Sequence, residues 1–88
     1  MGKKLNSEDL VIYKRIDEIL YFHWNPIGVD ELPRDEYATY VPQVYNLKKS
    51  NATIDAIATN LYEIETNRIG VIGSLAKCRE VAKMINEI

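Results

Sequence analysis

Along four stretches of the chain apolar residues return every three or four positions, and between them the pattern breaks at proline, glycine or short polar residues. That periodicity predicts four amphipathic helices. In the first, Ile12, Ile16, Ile19, Leu20 and His23 share one stripe, with Lys14, Arg15, Asp17 and Glu18 opposite. Asn6 or Ser7 can cap it, and Glu8 and Asp9 fall in its first turn, where the helix dipole favours negative charge. It runs from about Ser7 to Trp24 and stops because Asn25 precedes a proline, a position biased away from helix. Residues 1–6 read as a frayed start.

The segment from Asn25 to Glu36 has no period, holds Pro26, Gly28, Asp30, Glu31 and Pro33, and is longer than a simple connection needs. Loops of this length inside small domains are often ordered binding loops. A second helix follows from about Asp35 to Lys48 on Tyr37, Tyr40, Val41, Val44, Tyr45 and Leu47. Pro42 either falls in its first turn, where the missing N–H is harmless, or kinks it. Ser50-Asn51-Ala52 is a turn. Thr53 caps a third helix, Ile54 to Arg68, with Ile54, Ile57, Ala58, Leu61 and Glu65 on its stripe and Ile64 at the edge. Gly70 is placed to end it. Ser74 caps a fourth helix whose stripe is Leu75, Cys78, Val81, Ala82, Ile85 and Ile88. The expected architecture is all-α: a compact bundle of about four helices with a long ordered loop between the first two, forming a single domain over residues 1–88.

With 88 residues, 47% of them hydrophobic, the chain has material for one core but not for two. Covering leftover apolar surface in a homodimer is an open option. The net charge of −2, from 11 basic and 13 acidic residues, argues against nucleic acid and anionic membrane as partners. A glycine-containing turn between the third and fourth helices allows a helix-turn-helix reading through Lys77, Arg79 and Lys83, which the acidic balance disfavours. No run reaches the ~20 apolar residues of a membrane span, and no leader pattern follows the basic start, so a cytoplasmic protein is the simplest expectation. One cysteine and one histidine supply neither a disulfide nor a zinc site, and the acidic loop lacks calcium-loop spacing. No metal or cofactor is implied.

Glu65 is the residue out of place, a carboxyl in the middle of an apolar stripe. It must be hydrogen-bonded to be tolerated. The expectation is that it pins the loop between Trp24 and Tyr37. The sharper alternative pairs it with His23 as acid and base, in a small hydrolase or ligand-binding domain. No motif names a reaction, and the balance lies against an enzyme. The six tyrosines exceed what so small a core can hide. Trp24, Tyr37 and Tyr40, beside the acidic loop, make a candidate protein-binding face. The candidate interaction or loop-anchoring set is therefore Trp24, Asn25, Pro26, Gly28, Tyr37, Tyr40 and Glu65, serving an unidentified protein partner.

Three segments together, Trp24-Asn25-Pro26-Ile27-Gly28, then Asp35-Glu36-Tyr37 with Tyr40-Val41-Pro42, then Tyr62-Glu63-Ile64-Glu65-Thr66, resemble the YugE-like family of small bacterial proteins of unknown function. The resemblance implies a compact all-helical fold and supplies no catalytic residue. Its members often carry aspartate where this chain has Asn25, which speaks against chemistry or metal binding at that position.

Overall fold

A computed structural model describes residues 7–28 and 32–88. The expectations for residues 1–6, for Asn6 as a cap, and for Val29, Asp30 and Glu31 lie outside these residues.

The described chain is an all-α globule. Helix α1 (Ser7–Ile19) runs directly into a π-helical turn, Leu20–Trp24. A series of tight turns and one 3-10 turn, Ala38–Tyr40, leads into α2 (Val41–Lys49). Helix α3 (Ile54–Glu63) likewise runs into a π-helical turn, Ile64–Ile69, and α4 (Leu75–Asn86) closes the bundle. Ion pairs and hydrogen bonds fix the directions. Lys49 at the end of α2 meets Asp9 at the start of α1. Lys48 donates to the carbonyls of Asn86, the last residue of α4, and of Ile88 just past it. Trp24, ending the first helix, meets Glu65, near the end of the third. The helices thus alternate up and down, as short connections favour.

Local chemistry explains the boundaries. Thr53 Oγ1 accepts the Ala56 N–H at 3.1 Å and Ser74 Oγ accepts the Lys77 N–H at 3.2 Å, so both predicted caps form. Gly70 ends the third helix at φ +86°. The second helix starts later than the periodicity suggests. From Pro33 to Tyr40 the N–H groups of Glu36, Ala38 and Tyr40 bond three residues back, and Val41 opens the α-helix with Pro42 in its first turn. Pro42 starts the helix because its ring forbids a bond that the first turn does not need.

The core is built from Ile16, Ile19, Leu20 and Trp24 of the first helix, Val41, Val44 and Tyr45 of the second, Ile57, Ala58, Leu61 and Ile64 of the third, and Cys78, Val81, Ala82 and Ile85 of the fourth, with Tyr37 entering from the loop. No helix among the described residues is long and apolar enough to cross a membrane.

Candidate functional site at the paired π-helical turns

His23 departs from the expected stripe. It is exposed, and Trp24 occupies the interior with no exposed surface. The cause is the π turn. The Asn25 N–H bonds to the Leu20 carbonyl at 3.0 Å, five residues back instead of four. One extra residue enters the turn, so the place over Ile16 and Leu20 passes from residue 23 to residue 24. The exchange buries a large indole in place of a ring that prefers water, worth roughly 4–6 kcal/mol by area. The third helix does the same: the Gly70 N–H bonds to the Glu65 carbonyl at 2.9 Å, leaving Arg68 exposed and Ile69 packed against the core.

The two π turns face each other through their most polar contact. Trp24 Nε1 donates to Glu65 Oε2 at 2.7 Å, and both residues are buried, Glu65 at 2% exposure. The other carboxyl oxygen, Oε1, accepts the N–H of Ser74 at 3.0 Å. The main-chain carbonyl of Glu65 accepts from both Gly70 and Val71 at 2.9 Å. One residue therefore holds the 70–74 connection at three N–H groups and the first helix at one indole. Gly73 is part of the fit. Its φ is +81°, and a Cβ there would stand 2.9 Å from Glu65 Oε1. Cys78 lies beside this pair with no exposed surface, and its thiol is pushed up to about 12, first by burial and then by the neighbouring Glu65. It is an inert core thiol, as its stripe position indicated.

Glu65 holds the head of the loop through the Trp24 indole, as expected, and the rest of the loop is fastened by other residues. Among the described residues Glu65 makes no hydrogen bond to positions 25–37; Asn25, Pro26 and Gly28 share a cleft with it. The anchor is Tyr37, 2% exposed, whose hydroxyl donates to Asn25 Oδ1 at 2.7 Å and accepts the Ile27 N–H at 3.2 Å. Burial raises the Tyr37 pKa. Asn25 stands at φ +31° and its side chain also accepts the Gly28 N–H at 3.3 Å. Further along, the Tyr21 hydroxyl donates to the Leu32 carbonyl at 2.6 Å. Arg34 pairs with Asp17 at 3.1 Å and lies 4.7 Å over the Tyr21 ring.

These positions also correct the aromatic face. Trp24 and Tyr37 are interior, their rings 5.4 Å apart, and Tyr40 is half-buried with its ring edge-on to Trp24. They support the loop rather than present themselves to a partner. Nor do His23 and Glu65 form an acid–base pair: one faces solvent, and the other has both carboxyl oxygens bonded to Trp24 and Ser74. Gly73 and Tyr21 were not singled out by their chemistry in the sequence, and Ser74 stood out only as a helix cap, not as a donor to Glu65. The available signal for Gly73 was the pairing of Gly70 with a second glycine three positions on.

What the arrangement does present is apolar. Ile72 is 94% exposed and Leu75 is 49% exposed, on and just after the connection that Glu65 holds. A cleft of about 360 Å³ opens beside Ile72, lined by Pro26, Val71 and Gly73, with Asn25 and Lys77 at its polar margin. No group of three histidine, cysteine, aspartate or glutamate side chains is placed to hold a metal among the described residues. In comparison with known proteins, the chain matches no family model, no curated protein and no solved structure.

Proposed function

We propose that this chain is a protein-interaction module that engages its partner through the 70–75 connection and the cleft beside it. The observation that carries this reading is Ile72, almost wholly exposed on a turn whose backbone is tied down by Glu65. A lone exposed isoleucine on a mobile loop is ordinary. One displayed from an ordered turn, next to Leu75 and an apolar cleft, has the make-up of an interface centre: apolar anchors ordered in advance and a polar margin. A cytoplasmic setting and kinship with the YugE-like proteins belong to the same proposal, supported by the residue pattern and the single free cysteine.

The test is affinity capture with the parent and with an Ile72→Asp, Leu75→Asp double variant. Both positions are exposed, so the thermal midpoint should hold. Loss of a co-purified protein from the double variant alone is the expected result. Capture of the same protein in equal amount by parent and variant overturns the assignment of the surface. Sedimentation of the parent reads self-association, in which the partner is a second copy.

A further inference from the structure

After Ile72, the most exposed large apolar side chains among the described residues are Val11 and Phe22, at 65% and 63%. With Arg15 and Glu18 they form one stripe on the solvent side of the first helix. Val11, Arg15, Glu18 and Phe22 follow one another at steps of four, three and four residues, the spacing of a coiled-coil seam. Phe22 stands early in the π-helical turn, and its ring is held there. It packs edge-on to Tyr21 with centroids 4.9 Å apart, and the Arg34 guanidinium lies 5.2 Å from its centroid. A ring ordered in advance loses little freedom on binding.

The stripe is complementary to itself. Its apolar residues stand at the two ends and its opposite charges in the middle, evenly placed about the midpoint between Arg15 and Glu18. Laid antiparallel on a copy about a two-fold axis at that midpoint, Val11 meets Phe22 of the second copy and Arg15 meets Glu18 of the second copy. Each contact then occurs twice, as an isologous interface requires. Parallel pairing would set arginine on arginine, so the charges select one orientation. Within a single chain Arg15 Nη1 already pairs with Glu18 Oε1 at 3.2 Å, an exposed pair worth little alone. Two such pairs at the axis make a network of four charges in which every guanidinium faces two carboxylates. We propose that the chain self-associates through this face as an antiparallel pair of first helices. Four side chains from each copy make a small contact, at the weak end of interface sizes, so the dimer is transient, with Kd on the order of 0.1 mM. The face shares no residue with the 70–75 connection and leaves it free for another partner.

The experiment is sedimentation equilibrium of the full chain, up to about 1 mM, with charge-swap variants at exposed positions. The parent should rise towards twice its monomer mass. Arg15→Glu alone and Glu18→Arg alone should each dimerise at least about tenfold more weakly, since like charges then face each other across the axis. An equimolar mixture of the two should regain the parent's affinity. The carboxylates at positions 15 and 18 of one chain then meet the guanidiniums at positions 18 and 15 of the other, a rescue that also shows both variants folded. Phe22→Asp should abolish the dimer, and the Ile72→Asp, Leu75→Asp chain should keep it. The proposal is overturned if the parent stays monomeric, if either single swap dimerises as the parent does, or if the mixture does no better than its parts. Loss of the dimer in the Ile72→Asp, Leu75→Asp chain with Phe22→Asp unaffected would also overturn it, placing the second copy at the cleft. A parent that stays monomeric while Phe22→Asp loses a captured protein would give the face to a different partner.

Discussion

Trp24 reaches Glu65 at 2.7 Å at one end of the bundle, and Lys49 reaches Asp9 at the same 2.7 Å at the other. The distances are equal and the surroundings are not. The first bond is buried, closes two π-helical turns onto each other and is continued by the Ser74 N–H on the second carboxyl oxygen. The second joins an exposed lysine to a partly covered aspartate at helix ends that are otherwise regular. Water competes for the second pair in either state of the chain, so its net worth is small. At the π-helical end both partners are buried, so an unmade bond is costly there. That end is also where the backbone leaves α geometry and where the exposed Ile72 is displayed. Irregularity and buried polarity occur together because the carboxyl that would be a liability in the core supplies the acceptor for the connection after the third helix.

Breaking the buried bond should give the largest effect. Glu65→Leu strands the Trp24 and Ser74 N–H groups at about 1–3 kcal/mol each, so a total loss of roughly 2–6 kcal/mol is expected in urea denaturation. Glu65→Gln keeps one acceptor and should lose about 1–3 kcal/mol. In a double-mutant cycle with Trp24→Phe, non-additive changes sharpen the assignment, since the two residues touch. Equal midpoints for parent and Glu65→Leu would remove the distinction between the two ends altogether.

Gly73→Ala comes next. The left-handed backbone costs an alanine about 1–2 kcal/mol, and its Cβ at 2.9 Å from Glu65 Oε1 adds a clash that the fixed carboxyl cannot easily relieve. A loss of roughly 2–3 kcal/mol is expected from the backbone and packing terms together. A second readout is local. Cys78, its thiol pushed up to about 12 by burial, should react slowly with a thiol reagent at pH 8 in the parent. Reaction should quicken in Gly73→Ala, because opening of this end exposes the thiol. By contrast, Gly70, whose added Cβ would meet nothing within 4 Å, should show only the cost of its positive φ.

What could be read from the sequence follows the same division. The regular parts of the four helices, the caps at Thr53 and Ser74 and the glycine stop at Gly70 come from local rules that hold where nothing tertiary overrides them. The burial of Glu65 was legible because a carboxyl on an apolar stripe has few alternatives. Of its partners, Trp24 heads the loop expected to supply a donor, whereas the Ser74 N–H had no signal. The π turns are set by tertiary demand, which chooses the indole of Trp24 over the ring of His23 for one interior position, and a 3.6-residue count cannot register an inserted residue. The start of α2 was misplaced because Tyr37 and Tyr40 keep a helix-like spacing while their backbone makes tight turns. Pro42, two positions into the helix, carried the correct signal.

Tyr37→Phe tests the anchor of the first loop and should have a middling effect. The hydroxyl is bonded to Asn25 Oδ1 and to the Ile27 N–H, and its loss should cost about 1 kcal/mol. Hydrogen exchange should speed at the amides of Ile27 and Gly28 and not at those of Gly70 and Val71, which answer to Glu65. Uniform acceleration at both connections would mean that the two loops open as one unit.

The smallest effect is expected at the regular end, and it has a definite pH signature. The hydrogen bond from Lys49 is the leading reason that the Asp9 pKa is lowered in the folded chain. A carboxyl with a depressed folded pKa stabilises the fold above its unfolded value, about 4, and that contribution is lost as pH falls through the lower folded value. Lys49→Met should therefore leave the denaturation midpoint almost unchanged at pH 7 in ordinary salt, because the pair is exposed and screened. Below about pH 4 the parent should lose this contribution while the variant, which never had it, should show a slightly shallower acid limb. A drop at pH 7 as large as that of Glu65→Gln would show that Lys49 and Asp9 act as a buried pair, and the contrast between the two ends would then rest on geometry alone.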